Sequence, residues 1–162
     1  MNKIRMIALA ACMAATLDAA AQEQEIRLFS HRGGRMEHDE NTLSAFQASY
    51  DAGYRGFETD IRMTRDGALV ITHDSSLERT TDGTGTVEEK TEAEIRQLAT
   101  KQGNKMMFLD ELLEFLKGKE GLYVEFEMKT KPEALYPEER LHAYCDKLYD
   151  CLLYTSPSPR DS

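Results

Sequence analysis

The stretch FETDIRMTRDGALVITHD, residues 57–74, predicts two β-strands joined by a turn at its central RDG. Side chains two positions apart in a strand point to the same face of a sheet, so Glu58 and Asp60 are neighbours, with Arg62 further along. The alternate positions are mostly apolar and can pack against helices. The second strand ends at His73. Acids along one strand and a histidine at the end of the next indicate a binding or reactive site.

A later strand repeats the arrangement. Within residues 121–130, apolar side chains alternate with Glu125, Glu127 and Lys129. Carboxylates that converge on one interior repel one another and lose hydration. A bound divalent cation relieves both effects, and hard oxygen ligands suit Mg²⁺ or Ca²⁺. The alternative is that these acids are simply solvated on an exposed face of the sheet.

Composition limits the classes of partner. The chain has 162 residues, of which 41% are hydrophobic and 30% charged, which suits one globular domain. No internal apolar run reaches the roughly 20 residues that a transmembrane helix needs. A net charge of −9 argues against nucleic acid as the main partner, because no basic stripe is available to neutralise phosphates. A small phosphate substrate needs only one or two local cations.

The two ends of the chain differ from the middle. Residues 1–21 resemble a secretory signal peptide, because Lys3 and Arg5 precede a short apolar stretch that ends in alanines. We therefore expect export to the periplasm or the exterior. The alternative is a lipoprotein cleaved before Cys12. The Ser/Pro-rich end, residues 151–162, breaks the helical pattern, and we expect it to be foreign to the protein, with a natural disordered tail as the alternative.

Hydrophobic periodicity predicts the order strand, helix, strand, strand, helix, helix, strand, helix. This order indicates an α/β fold with a largely parallel sheet. The predicted strands are residues 26–31, 56–64, 68–74 and 121–130. The predicted helices are residues 41–53, 91–99, 108–118 and 137–150. We expect Asn41 to cap the first helix, and the polar segment 75–90 to form a surface loop near any active site.

Histidines are predicted at the ends of two strands. His31 and Arg32 end the first strand, and a pair of glycines follows that lets the backbone approach a ligand closely. His73 ends the strand 68–74. In α/β barrels catalytic groups cluster at such strand ends. With an ordinary imidazole pKa of about 6.5, two histidines beside a metal site can act as general acid and base.

Five motifs occur in a specific order and spacing, namely HRGG, ENTLSAF, GFETDIRMTRDGALVITHD, LERTTDGTG and VEFEMK. In this respect the chain resembles the glycerophosphodiester phosphodiesterase family over about residues 26–150. The resemblance implies a TIM-type (β/α)₈ barrel. Because such a barrel usually needs about 250 residues, we expect residues 22–150 to be the N-terminal half of the barrel domain. We expect this chain alone to be poorly stable and weakly active or inactive.

The resemblance also implies roles for individual residues. One divalent cation, Ca²⁺ or Mg²⁺, would be held by Glu58, Asp60 and Glu127. The two catalytic histidines of the family match His31 and His73. We favour His31 as the base and His73 as the acid, although the sequence does not fix the direction.

Three further residues match charged positions of the family. Arg32 and Lys129 match the cations that bind the substrate phosphate. Glu40 matches the acid of the ENT motif, which lies beside the metal and the substrate.

The expected reaction is hydrolysis of a small glycerophosphodiester to glycerol 3-phosphate and an alcohol. One alternative is a phospholipase of the phosphoinositide or sphingomyelin type. Another is a non-catalytic protein that binds phosphate or a cation. The lysine of the E-x-K motif and the HRG–ENT pair favour the first possibility.

Overall fold

The structure is a computed structural model that describes residues 27–155. The described chain contains four strands and four α-helices. The strands are β1 (Phe29–His31), β2 (Gly56–Met63), β3 (Leu69–Ile71) and β4 (Tyr123–Met128). The helices are α1 (Leu43–Asp51), α2 (Glu92–Ile95), α3 (Leu109–Leu116) and α4 (Glu138–Thr155), with short 3₁₀ turns at Val87–Glu89 and Glu133–Leu135. The chain is therefore α/β, in the predicted order of elements.

Strand β2 lies at the centre of one mixed sheet. Its first edge pairs in parallel with β4 over six residues, beginning with Gly56 opposite Tyr123. Its other edge is shared by β1, which is parallel, and β3, which is antiparallel. The expected largely parallel sheet therefore includes one antiparallel strand, because the predicted turn folds β3 straight back along β2.

This hairpin brings two chain segments to the same place on β2. The backbone N–H of Arg32, just after β1, donates to the carbonyl of Glu58 at 3.0 Å. The N–H of Thr72, just after β3, donates to the carbonyl of Asp60 at 3.0 Å. Because β3 runs against β1, the two strands end close to each other. His31 and His73 consequently lie on segments that leave the sheet near the middle of β2.

The main core forms between the apolar face of the sheet and helices α1, α3 and α4. Phe46 and Phe57 are fully buried and meet edge to face, with ring centroids 5.6 Å apart. Burying a side chain of this size contributes roughly 1.5–3 kcal/mol. The polar face of β2 is also buried, since Asp60 and Arg62 are 0% and 5% exposed. Alternation in the sequence correctly separates the two faces but does not show that both are covered.

The N-terminal cap of helix α1 lies one residue later than predicted. Thr42 caps the helix, and its hydroxyl oxygen accepts from the N–H of Ala45 at 3.3 Å. Asn41 adopts a left-handed conformation with φ 58° and uses its side chain elsewhere, so the prediction that Asn41 is the cap is wrong. Helix α2 begins with a capping box between Thr91 and Glu94 but extends for only one turn of the predicted range 91–99.

Helix α4 extends to Thr155, five residues beyond its predicted end. Leu148 is buried, and Cys151 and Leu152 pack against the main core, so the apolar pattern of the helix continues past residue 150. Residues 1–26 and 156–162 lie outside the described residues, and with them the predicted signal peptide and the Ser/Pro part of the predicted tail. Among the described helices, none has the length and apolar character needed to cross a bilayer.

Candidate active site

Three carboxylates meet on the polar face of the sheet. Glu58 and Asp60 lie two residues apart on β2, and Glu127 on β4 is the register partner of Asp60. One oxygen from each residue lies within 4.8 Å of the others. Asp60 is fully buried, the Glu58 side chain is 15% exposed and that of Glu127 is 55% exposed. Strand alternation and parallel register together therefore produce the predicted acidic cluster.

The donor set of this cluster fits a hard divalent cation. Burial raises the pKa of Glu58 above its usual range, and the neighbouring charge of Asp60 raises it further. Asp60 Oδ1 is buried and makes no hydrogen bond, although it lies 3.1 Å from Lys129 Nζ. Close anionic oxygens, one of them without a hydrogen-bond donor, are the ligands that Ca²⁺ and Mg²⁺ prefer.

Arg32 reaches the acidic cluster from the loop after β1. It is 7% exposed and has φ 55°. Its Nε lies 3.1 Å from Asp60 Oδ2, and its backbone N–H donates to Glu58 Oε2 at 3.2 Å. The next residue, Gly33, has φ 74°, and a Cβ there would come 3.0 Å from the Ala45 side chain. The glycine therefore permits the tight turn that places Arg32 against the acids.

Lys129 reaches the same acids from the end of β4. Its ammonium lies 3.1 Å from Asp60 Oδ1 and donates to Glu127 Oε1 at 2.6 Å. Burial alone would lower the pKa of Lys129, but the hydrogen bond to Glu127 and the close contact with Asp60 outweigh it and raise that pKa. Lys129 is therefore a stable cation at neutral pH, as a phosphate-binding group must be.

The two predicted histidines flank this cluster differently. The His31 side chain is 52% exposed, and its Nε2 lies 3.5 Å from Glu58 Oε2. Burial, together with the positive charges of Arg32 and Arg35, lowers the pKa of His31. The His73 ring is one-third exposed, and its Nδ1 contacts the carboxylate of Asp74, 2.6 Å from Oδ1. Since Nδ1 is engaged in that contact, Nε2 is the nitrogen of His73 that can meet a substrate.

Glu40 lies between two arginines rather than in the carboxylate cluster. Arg79 binds its carboxylate in a bidentate manner at 2.7 and 3.0 Å, and Arg32 Nη1 lies 3.2 Å from Oε1. The hydrogen bond from Arg79 is the main reason that the pKa of Glu40 is lowered, even though burial opposes it. The structure therefore places this predicted site acid in a supporting contact with Arg32.

Sequence reasoning missed three supporting residues. Arg79 contacts Asp74 as well as Glu40. Burial would raise the pKa of Asp74, but the contacts with Arg79 and His73 lower it to about 2. Asn41 donates to Asp60 Oδ2 at 3.0 Å. The motifs HD, LERTT and ENT contain these residues, but their contacts depend on how the loops fold.

These contacts form one continuous network of alternating charge across the site. It begins at His73 and continues through Asp74, Arg79, Glu40, Arg32, Asp60, Lys129 and Glu127. Each carboxylate in this network lies beside a cation, which offsets much of the desolvation penalty of burying it. The arrangement can hold a metal, bind an anionic phosphate and transfer protons on either side of it.

The chain is similar to known phosphodiesterases. The model of the glycerophosphoryl diester phosphodiesterase family matches residues 31–156. A glycerophosphodiester phosphodiesterase from Caldanaerobacter subterraneus subsp. tengcongensis is 36% identical over 123 residues, which cover 70% of this chain and 50% of that protein. Glycerophosphodiester phosphodiesterase 1 from Homo sapiens is 40% identical over 82 residues, which cover 51% of this chain and 25% of that protein.

A solved structure shows the same likeness in three dimensions. A phosphodiesterase from Oleispira antarctica, in complex with the product sn-glycerol-3-phosphate, superposes with a TM-score of 0.71 at 27% identity. The match covers 83% of this chain and 54% of that chain. The chain thus spans about half, or less, of the length of the relatives described here. Because the family match extends over more than half of its residues, the chain belongs to the glycerophosphoryl diester phosphodiesterase family.

Proposed function

We propose that the protein hydrolyses small glycerophosphodiesters to glycerol 3-phosphate and an alcohol. The observation that carries this proposal is the cluster of Glu58, Asp60 and Glu127 within 4.8 Å, with His31 3.5 Å from Glu58. Family membership supports the reaction class. The neighbour from Oleispira antarctica, which holds sn-glycerol-3-phosphate, supports the identity of the product.

We propose that Glu58, Asp60 and Glu127 hold one divalent cation, Ca²⁺ or Mg²⁺. Such a cation supplies Lewis-acid neutralisation of the charge on a phosphodiester. Arg32 and Lys129 both contact Asp60 of this cluster, which supports the proposal that their positive charges bind the substrate phosphate. Preorganised cations of this kind stabilise the charge that develops in the transition state.

The two histidines divide the proton transfers in this proposal. We assign His31 as the base, because its lowered pKa keeps the imidazole neutral and able to accept a proton at pH 7. The proton would come from water or from the 2-hydroxyl of the glycerol. His73 then protonates the oxygen of the leaving alcohol from Nε2, while Asp74 holds Nδ1. Asp74 thereby fixes the orientation of the His73 ring.

Product analysis on the purified protein in its full natural length tests this function. We expect glycerophosphocholine to yield glycerol 3-phosphate and choline in a reaction that chelation stops and added Ca²⁺ or Mg²⁺ restores. Turnover of intact sphingomyelin or phosphoinositide, with glycerophosphocholine unchanged, would instead indicate a phospholipase. In the His73→Ala variant we expect cation binding to persist and kcat to fall by about 10²- to 10⁴-fold, to a residual but measurable rate. Binding without turnover in the unaltered protein would indicate a non-catalytic role.

We further propose that β1, β2 and β4 are successive strands of a (β/α)₈ barrel. Their parallel pairing, with helices in the connections between them, supports this architecture. In it β3 is an antiparallel addition beside β2. Circular dichroism and a solution structure of the protein in its full natural length would test the assignment.

We also propose export of the protein, with cleavage after residue 21. The supporting observation is the composition of residues 1–21 alone. The N-terminal mass of protein recovered from the periplasm or the medium tests this proposal. A lipid-modified N-terminus at Cys12 would favour the lipoprotein alternative.

A further inference from the structure

A buried arginine on β2 contacts two backbone segments beside the site. Arg62 is 5% exposed. Its Nε–H donates to the carbonyl of His73 at 2.9 Å, and its Nη1–H donates to the carbonyl of Lys131 at 2.9 Å. The same Nη1 donates to Glu88 Oε1 at 2.7 Å. One planar guanidinium therefore holds two backbone carbonyls and one carboxylate at fixed directions.

Glu88 completes this buried contact. It lies in the 3₁₀ turn Val87–Glu89 and is 3% exposed. Ser75 donates to Oε2 at 2.6 Å, and the hydroxyl of Tyr136 donates to Oε1 at 2.7 Å. Burial raises the pKa of Glu88, but the hydrogen bonds from Ser75, Tyr136 and Arg62 outweigh it, and the net result is a lowered pKa. The acid is therefore ionised at neutral pH, opposite a permanently charged arginine.

The position of this pair relates it to the site. Strand β2 lies between β3 and β4, and Arg62 holds one segment from each side. On one side is His73, the proposed acid. On the other is Lys131, two residues after Lys129 and four after Glu127. Because one guanidinium donates to both segments, it helps to set the distance between the proposed acid and the groups proposed to bind metal and phosphate.

Stability alone does not account for the pair. A buried ion pair is often no more stabilising than an apolar pair of similar volume, because both charges lose their hydration. By contrast, no apolar side chain can donate the two hydrogen bonds that Arg62 makes to backbone carbonyls. Both carbonyls belong to segments that carry residues of the candidate site.

We propose that Arg62 and Glu88 are a positioning pair that fixes the backbone at His73 relative to the segment carrying Glu127 and Lys129. This inference rests on the proposed function, since His73 must act on a substrate held by those residues. Neither Arg62 nor Glu88 touches the substrate. Both act through the placement of His73, and a misplacement of about 1 Å in an active site can reduce the rate by about 100-fold.

The test uses Arg62→Lys, which keeps the charge opposite Glu88 but cannot reach three acceptors in a fork. We expect kcat to fall by about 10- to 100-fold, with KM and cation affinity within about twofold of the unaltered protein. The matched control is Arg140→Lys. Arg140 donates to the carbonyls of Met63 and Thr64 and, at 3.5 Å, to that of Glu88, but it makes no hydrogen bond to the carbonyl of His73 or Lys131. We expect its kcat to stay within about twofold.

A double-mutant comparison distinguishes an effect of Arg62 on the placement of His73 from a general loss of order in the active site. In a His73→Ala background, Arg62→Lys should lower kcat no further, because the residue through which it acts is gone. Should Arg62→Lys fold poorly, the paired replacement Arg62→Met/Glu88→Leu gives a variant without buried charge, and we expect it to fold with a lowered melting temperature and to lose kcat, because the carbonyls of His73 and Lys131 lose their donor. An equal loss of kcat in the presence and absence of His73 would overturn the proposal.

A spectroscopic measurement keeps this test independent of the reaction. The imidazole NMR signals of His73 are assigned from their absence in His73→Ala. We expect Arg62→Lys to shift them and Arg140→Lys to leave them unchanged. Absence of turnover in the unaltered protein would refute the proposed function alone, and the His73 signals would still decide the positioning. Signals that respond equally to both substitutions would refute the positioning pair.

Discussion

The substitution Glu58→Gln should have opposite effects on stability in the absence and the presence of a divalent cation. It removes one charge from the cluster of Glu58, Asp60 and Glu127 and preserves the shape of the side chain. An amide oxygen can still accept from the backbone N–H of Arg32, as Glu58 does at 3.2 Å. The substitution therefore tests the effect of the negative charge of Glu58 on stability without changing how the side chain packs.

The magnitude follows from burial and distance. Two unit charges 4.8 Å apart, the limit for this cluster, interact by about 3.5 kcal/mol at an effective dielectric of about 20 and by about 0.9 kcal/mol in water. Arg32 offsets part of this repulsion. We expect Glu58→Gln to raise the free energy of unfolding by about 1 kcal/mol in chelator at pH 7, which is about 2–4 °C in Tm for a chain of this size.

The pH dependence follows from the raised pKa of Glu58. Below its ordinary value of 4.5 the carboxyl is protonated in both the folded and the unfolded states. As pH rises through the interval between that value and the raised pKa, the unfolded chain releases its proton first, so stability falls. In chelator, the gain from Glu58→Gln should therefore develop over that interval and be absent at lower pH.

Thermal melts in chelator and in rising Ca²⁺ or Mg²⁺ measure both effects. A cation at 100 times its Kd adds about 2.7 kcal/mol to the unaltered protein, and the variant, which lacks one ligand, should gain much less. The control is Glu139→Gln, the same charge change on the exposed surface of α4. A variant that melts below the unaltered protein in chelator would refute the reasoning, as would equal stabilisation of both proteins by the cation.

Two further substitutions give three predictions about other parts of the structure. Asp74→Asn should lower kcat by about 10- to 100-fold because a neutral amide holds Nδ1 of His73 more weakly than the carboxylate does, and loss of a supporting contact commonly has an effect of this size; unchanged kcat in a steady-state assay would exclude that role. Since the pKa of Asp74 is about 2, below its ordinary 3.8, its ion pairs should lose their stabilisation as pH falls from about 4 to about 2. Acid titrations of the unaltered protein and Asp74→Asn should therefore diverge there and would contradict this assignment if they superposed. Leu112→Ala, at a fully buried position, should reduce the free energy of unfolding by about 2–5 kcal/mol; a loss below about 1 kcal/mol in urea would show that α3 is not part of the core.

The acidic cluster could be predicted from the sequence because its geometry is largely local. Glu58 and Asp60 share a face wherever a strand forms, and Glu127 needs only the parallel register of one neighbouring strand. The spacing of HRGG and HD likewise placed His31 and His73 at the ends of strands. Periodicity of two residues and the order of elements are sufficient for these predictions.

The supporting contacts could not be predicted, because they join distant parts of the chain through irregular loops. Arg79 meets Glu40 across 39 residues, and Arg62 meets Glu88 across 26. No periodic signal encodes such pairs. Asn41 was misassigned for a related reason, since the preference of asparagine for helix caps gave way to tertiary hydrogen bonds with Thr59 and Asp60.

The β2–β3 hairpin implies a rule about which changes in length the protein can tolerate. His73 returns to the middle of β2, just beyond the contact of Thr72 with Asp60, only because the arm before the turn and the arm after it are matched in length. Adding one residue to a single arm would rotate His73 to the opposite face of the sheet, and adding one to each arm would displace the turn by about 3.4 Å without moving the histidine along β2. We therefore expect insertions at the tip around Gly67 to spare the candidate site, and unequal insertions in the arms to disrupt it.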